Sequence, residues 1–597
     1  MTKLSDMVKK PYRYFGGEYN IPDMQKPCDV RFCMCVADGY EVGMSNLGVR
    51  ILYYLFNSLE GVVCERCYTP FEDYEQYLAK HNMPLCSLET QTPLKDFQFV
   101  GFSVQYEMCY SNVFHMLTLS GIPVLSEQRG EQFPFVVAGG PCTVNPEPMY
   151  KFIDFFFVGE GETPWPQILA DYRSFKGSKK EFLQFVDDKY DCLYVPSLHP
   201  AEYRGDRPVT LPSKTVKRNV EKDMDSVFTP QTQLVPNMEI VHDRAVAELF
   251  RGCANGCRFC QAGFIYRPVR ERSAENAFSL CKNLLESTGY DELSLSSLST
   301  GDYSGLQQLL EKLYPYAAEK HVQLNLPSLR LDSFSGSIVQ GNRKSSLTFA
   351  PEAGTQRLRD VINKNVTEED IFRSLSQAFA QGYSSVKLYF MLGLPTETMQ
   401  DVEGIVRLAA QVKQLYRTVN PKGRGVRVAV SCSTFIPKPF TPFQWCGFAN
   451  REHITQCQRY LTEQLKKLGV SFAYNDYDSS LLEAVLAKGG RSVADALYRA
   501  YLNGARFDAW TEYFRYDCYK SAFEQTGVDV LDVVGERQAE DVLPWDFVDV
   551  GVTKRYLRRE YDKALCADVT PSCTAKCNGC GLRSWGFCTQ TQGNKKL

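Results

Sequence analysis

No apolar run in the 597 residues approaches the ~18 needed to cross a bilayer. The opening text, Met-Thr-Lys-Leu-Ser-Asp-Met-Val-Lys-Lys-Pro, has basic side chains but no apolar core. That speaks against a secretory signal, and a cytoplasmic protein without a membrane partner is expected. A dominant charge is lacking too: the formal net charge is −3, which gives no global pull toward nucleic acid. No internal repeat or low-complexity segment is present. Twenty-two cysteines are too sparse for a disulfide scaffold, which typically exceeds about 8–10% Cys, and a reducing compartment disfavours disulfides in any case. Spacing therefore decides which cysteines matter. Cys33, Cys35, Cys192, Cys281 and Cys432 stand alone in apolar stretches and read as small buried hydrophobes.

What charge there is lies unevenly. From Gly551 to Leu597 nine basic residues face three acidic ones, a local +6 that leaves −9 on the rest of the chain. A basic tail on an acidic body suits an anionic partner or a plain solvated surface equally well.

Between residues 29 and 168, apolar runs at 29–36, 62–68, 99–105 and 133–138 alternate with helical patterns such as 44–59. Such alternation implies βαβ units and a parallel sheet. Glycines follow these strands (Gly39 and Gly43, Gly139-Gly140, Gly159-Glu-Gly-Glu162), where backbone can approach a ligand closely. Residues 176–236, with six prolines and little periodicity, read as an ordered connector. From 237 to 472 strands are expected at 240–250, 292–298, 346–349, 386–392 and 426–435. Helices at 274–287, 306–320, 368–381 and 401–416 separate them, which suggests a full or partial TIM-like barrel. Residues 473–550 are mostly helical, and 551–597 form a Cys-rich tail.

Just after the first barrel strand stands Arg251-Gly-Cys-Ala-Asn-Gly-Cys-Arg-Phe-Cys260. Cysteines spaced C-x3-C-x2-C can place three thiolates around one face of a cubane cluster. Electron-transfer clusters take four; three leave one iron open, as catalytic zinc sites leave one position open. A zinc knuckle is the competing reading, and the strand placement weighs against it.

The triplet, its position and the barrel around it resemble the radical S-adenosylmethionine (SAM) superfamily. The text from Cys253 to Arg272, with Thr348–Thr355, Phe435–Phe443 and Gly504–Trp510, is similar to an uncharacterised bacterial radical SAM family with an N-terminal cobalamin-binding-like domain. The fold this implies is α/β. A Rossmann-like domain over 1–175 precedes the connector and a radical SAM (β/α) barrel over 237–472, and a helical region and the metal-binding tail follow. The resemblance also implies a [4Fe–4S] cluster on Cys253, Cys257 and Cys260, SAM as cofactor, and a reductant such as flavodoxin or ferredoxin. A small partner domain encoded separately is a further expectation. Ser299-Thr300-Gly301-Asp302 stands where the superfamily contacts the SAM amino group, although the usual Gly-Gly-Glu is absent. Glu352 matches the carboxylate that bonds the ribose hydroxyls. Gly393-Leu394-Pro395 matches the turn that packs on the adenine, and Phe259 the aromatic beside it.

The first domain resembles cobalamin-binding units, but no Asp-x-His-x-x-Gly motif supplies a lower cobalt ligand. His115 reads as a plain helix residue, so cobalamin binding stays open. In the tail, Cys573, Cys577, Cys580 and Cys588 have metal spacing; zinc and a second [4Fe–4S] cluster draw on the same ligands. The tail is expected to hold its metal independently of the barrel. Cys64-Glu-Arg-Cys67 reads as structural. Arg267, Arg270 and Arg272 are candidates for holding an anionic substrate, with surface salt bridges as the rival reading.

The leading functional expectation is reductive SAM cleavage to modify a large substrate, an RNA or ribosomal component, by methyl transfer, sulfur insertion or other radical chemistry. A cobalamin-dependent small-molecule methylase or rearrangement enzyme is a second reading. A non-catalytic, metal-binding RNA- or ribosome-associated protein is a reading of another class.

Overall fold

The computed structural model describes residues 4–326 and 347–588. Along Cys28–Val36 (β1), Val30, Phe32, Met34 and Val36 enter one apolar cluster while Cys33 and Cys35 enter another. A strand buried on both faces belongs inside a parallel sheet with helices on each side. β1 lies within a six-stranded sheet of order β2-β1-β3-β4-β5-β6, with Gly61–Tyr68 (β2), Phe99–Ser103 (β3), Phe135–Gly139 (β4), Phe155–Phe157 (β5) and Leu193–Tyr194 (β6). Its pairings are parallel apart from β5 with β6. The strand order reverses between β1 and β3, which places a crevice beyond their carboxyl ends. Cys64 and Cys67 fall in different core clusters, on opposite faces of β2, so they serve packing as expected.

Three sequence expectations need correction. The helix expected from 44 begins at Leu47 (Leu47–Ser58, α1), where the Asn46 side chain accepts the Val49 N–H and caps it. The segment read as connector first supplies Lys179–Lys189 (α2), opened by a Ser178–Glu181 capping box, and then β6, both parts of the first layer. Its later part does cross the molecule: Val216–Lys217 pairs in parallel with Val548–Asp549. The strand expected over 240–250 is shorter, Ala245–Glu248 (β7), because its neighbour offers only four residues in register, Leu293 to Ser296.

β7 pairs with Glu292–Ser296 (β8), and β8 with Gln323–Asn325 (β9). Leu347–Glu352 (β10), Ser385–Leu392 (β11), Arg427–Thr434 (β12) and Ser471–Tyr474 (β13) form a second parallel set. Ala274–Thr288 (α3) and Leu306–Lys320 (α4) cover the first set; Glu368–Ala380 (α5), Met399–Val419 (α6) and Arg451–Lys467 (α7) cover the second. Among the described residues these are two separate sheets of three and four strands, not one closed barrel.

Tyr477–Lys488 (α8), Ser492–Leu502 (α9) and Tyr516–Thr526 (α10) turn back onto the first sheet. The stretch Gly504–Trp510 fits into the β1/β3 crevice. Phe507 stacks on Phe71 at 4.8 Å, and the Trp510 indole N–H donates to Asp38 at 2.8 Å. The Phe507 N–H donates to the Asn112 side chain at 2.8 Å, and Ser111 donates to Asp508 at 2.5 Å. At the edge of this interface the fully buried Glu147 accepts from Arg491 at 2.7 Å and from Tyr194 and Tyr203 at 2.8 Å each. Arg491→Ala leaves that carboxylate without its counter-charge and should cost about 3–5 kcal/mol. Denaturant unfolding measures it, and a loss below about 1 kcal/mol would show that Glu147 does not depend on Arg491.

Candidate functional site

The cysteine loop leaves β7 through Phe250–Arg251, a two-residue strand pairing with Arg270–Glu271. Gly252 follows with φ +84°, and a Cβ there would lie 2.3 Å from the Pro268 carbonyl oxygen, so only glycine fits. Arg251 anchors the base of the loop to the first domain. Its guanidinium meets Glu248 at 3.0 Å, Glu162 at 2.6 Å and Glu160 at 3.4 Å. Burial raises Glu160, yet Arg270 at 2.6 Å and Arg251 together hold it below its ordinary value.

The structure brings the expected residues around this loop. The Asn255 amide, between the first two cysteines, lies 3.6 Å from the Cys253 sulfur and donates to Asp302 at 2.8 Å. Ser299 donates to the same Asp302 oxygen at 2.7 Å, and the buried Thr300 hydroxyl turns to Ser297 and the Leu295 carbonyl. Asp302 is thus held beside the loop, while Ser299 and Thr300 shape the short turn Thr300–Asp302 that contains Gly301. Phe259 packs against a small cluster containing Ala353, Met391 and Leu394. Glu352 has a left-handed backbone (φ +67°), and its side chain meets Lys364 at 3.2 Å. Burial raises the Glu352 pKa, although Lys364 opposes it. Lys364 also lies 5.9 Å over the Phe259 ring. Gly393 has φ +80°, and its N–H donates to Glu397 at 2.8 Å, which in turn meets His453 at 2.9 Å. The Gly393–Pro395 turn is thus held rigidly beside Phe259.

Burial pushes the Cys260 thiol up to about 12. A buried thiol of this kind is no free nucleophile, and burial raises Cys192, Cys281 and Cys446 in the same way. The three half-buried thiols on one short loop fit a cluster that takes three protein ligands.

The three arginines expected to hold a substrate do not. Arg267 donates to the Gly263 and Asn255 carbonyls; Arg270 is spent on Glu160 and the Glu221 carbonyl; Arg272 bonds the Glu248 carbonyl and Thr229. All three are buried, and each desolvated guanidinium is used to join segments. Residues that sequence reasoning missed are Asn255, Lys364 and Glu397; only their place next to recognised motifs could have marked them.

Gly252 also lines a cleft of about 430 Å³ between the carboxyl ends of the two sheets. Leu47, Ile51, Ser103, Gly140, Pro141 and Gly161 wall it on the first-domain side, and Phe250, Tyr266 and Leu298 on the other. A larger hollow of about 600 Å³ lies at the amino ends of β1, β3 and β4, by Asp29, Gln98 and Pro134, where open α/β sheets do not bind their ligands.

The model for radical SAM proteins, N-terminal, matches residues 48–196, and that for the radical SAM superfamily matches residues 247–409. The chain carries radical SAM domains. Proteins of this superfamily are enzymes, and the radical SAM domain implies a [4Fe–4S] cluster and SAM. The uncharacterised protein MJ0966 of Methanocaldococcus jannaschii is 28% identical over 450 residues, covering 75% of this chain and 90% of the relative. Among solved structures, the cobalamin-dependent radical SAM enzyme OxsB is 12% identical with a TM-score of 0.45, covering 91% of this chain and 79% of that one. The radical SAM methyltransferase TsrM of Kitasatospora setae is 13% identical with a TM-score of 0.34, covering 73% of each chain. No helix among the described residues is long and apolar enough to cross a membrane.

Gly252→Ala should push the loop away from Pro268. Iron retained after anaerobic reconstitution should fall severalfold while the secondary-structure content is kept; wild-type iron would contradict the steric argument.

Proposed function

We propose that this radical SAM enzyme reductively cleaves SAM at a [4Fe–4S] cluster carried by Cys253, Cys257 and Cys260, beside a cleft where the group to be modified is presented. The observation that carries the reading is the meeting, on one loop, of three thiols with the residues suited to SAM. When bound, the cluster supplies an open iron and the electron that breaks a carbon–sulfur bond of SAM. Asp302, held by Asn255 and Ser299 through one carboxylate oxygen, is suited to accept from the SAM amino group. Glu352 is suited to the ribose hydroxyls, and the Phe259–Leu394 pair to the adenine face. The two parallel sheets are then two arcs of one (β/α) barrel, with their carboxyl ends toward the loop.

Each of Cys253→Ala, Cys257→Ala and Cys260→Ala should abolish formation of 5′-deoxyadenosine or S-adenosylhomocysteine; wild-type turnover in any one would reject the assignment. Glu352→Gln should weaken SAM binding about ten- to a hundredfold, matching the ~1.5–3 kcal/mol of a charge-assisted hydrogen bond, with iron content unchanged. An unaltered dissociation constant would remove Glu352 from the pocket.

A second reading concerns the cleft. It lies at the strand ends of the cobalamin-binding-like domain, one residue from Cys253, and its lining contains no histidine. A corrinoid seated there would meet Leu47, Ile51, Gly140, Pro141 and Leu298 and receive no imidazole ligand. His115 faces Glu75 at 3.5 Å on the helix Tyr110–Leu119, in the core, and is no candidate. The reconstituted chain should retain corrinoid with an absorption spectrum free of protein nitrogen ligation. Failure to retain any would leave the cleft to the substrate alone. A substrate drawn from RNA or the ribosome has only the tail's charge in its favour.

A further inference from the structure

Residues 573–580 repeat the C-x3-C-x2-C spacing of residues 253–260. The two triplets also meet in space. The Cys573 N–H donates to the Ala254 carbonyl at 3.0 Å, and Ser572 reaches the same oxygen at 3.4 Å. Asn363 fastens this contact by donating to the Gly256 carbonyl at 3.0 Å and the Thr570 carbonyl at 3.1 Å, and by accepting the Thr570 N–H at 2.7 Å. The tail is therefore packed on the first cysteine loop.

Arg267 lies between the two triplets. It donates to the Asn255 carbonyl at 3.1 Å, and Cys573 and Cys580 are among the groups that act on its charge. It is only 2% exposed, bonded to the Gly263 and Asn255 carbonyls and the Tyr556 hydroxyl and stacked on the Phe264 and Tyr556 rings, and the Cys573 and Cys580 thiolates would supply it a counter-charge.

Cys588 is acted on by Cys580, Cys573 and Cys577 together, so the four tail thiols are gathered in one place. Zinc has no redox chemistry, whereas an iron–sulfur centre packed on the first cysteine loop can exchange electrons with it.

We propose that Cys573, Cys577, Cys580 and Cys588 hold a second iron–sulfur cluster that relays electrons to the first. Cys573, Cys577 and Cys588 are exposed while the first triplet is half-buried, so the tail lies on the solvent side of the pair. Exposed Lys217 and Lys222 stand over the Trp585 and Phe587 rings at 4.7 and 5.9 Å, with Arg559, Lys576 and Arg583 nearby. This basic collar suits an acidic, low-potential, one-electron carrier protein. The carrier loses one electron, and the tail cluster gains it and passes it on. That electron is spent when SAM divides into methionine and a 5′-deoxyadenosyl radical, and the tail cluster returns to its starting state.

The relay rests on the first centre proposed above, and the test separates the two. The full chain, reconstituted anaerobically, should hold about eight irons, two cubanes. Cys577→Ser with Cys580→Ser should hold about four and keep an electron paramagnetic resonance signal that responds to SAM. Cys588→Ser, at the outer end of the motif, is a second variant expected to lose the same share. Wild-type iron in both tail variants, or one zinc lost in place of iron, overturns the second cluster. Wild-type iron in the Cys253/Cys257/Cys260→Ala triple variant instead overturns the first. Reduction of the first cluster by a flavodoxin, followed by stopped flow, should slow about tenfold or more in the tail variants; an unchanged rate overturns the relay.

Discussion

Between Cys257 and Phe259, the Arg258 side chain is wholly buried, and three segments supply its partners. Its guanidinium donates to the Asp360 and Val361 carbonyls at 3.1 and 2.9 Å, to the Asp568 carbonyl at 2.6 Å and to Glu560 at 3.3 Å. Its own N–H donates to the Ile362 carbonyl at 2.9 Å. Removing a charge from water costs several kcal/mol unless partners replace the lost hydration. Here the partners come from the end of the helix Gln356–Val361 that follows β10, from the helix Lys554–Leu565 and from the chain leading to the tail. The shape of the cysteine loop therefore depends on contacts from the second sheet's side and from the C-terminal segment.

Arg251 performs the same service on the opposite side. Its ion pairs with Glu160 and Glu162 fasten the start of the loop to the glycine-rich turn after β5. The loop is held from the first domain through one arginine and from the tail through another, with the three thiols between. Trp510 and Phe507 close the β1/β3 crevice, where a ligand of the first domain alone would sit. What stays open at that end of the sheet is the half facing the loop. A cleft shared by two domains follows from a stopper supplied by a third part of the chain.

Much of this was legible in the sequence. The apolar run over 29–36 marks a buried strand, because successive side chains point to opposite sides and an apolar run leaves neither face for water. The boundaries of Leu306–Lys320 and Glu368–Ala380 follow their helical periodicity closely, since amphipathic faces are written locally. The cysteine triplet declares itself by spacing, whereas Glu352 and the Gly393 turn are marked only by their resemblance to the superfamily.

Other features were decided by tertiary structure alone. A sequence does not say whether an arginine near a site faces substrate or becomes a buried joint; Arg258, Arg267 and Arg270 are joints because carbonyls from distant segments converge on them. Nor does spacing say where Cys573–Cys588 comes to rest, since its contact with Ala254 bridges more than three hundred residues. The sequence by itself determined the element types and the thiol chemistry, which depend on neighbours within a few residues. Tertiary structure decided the shared cleft, the filled crevice and the meeting of the two cysteine groups. Those arise from desolvated charges and stacked rings that find their partners only once the domains have packed.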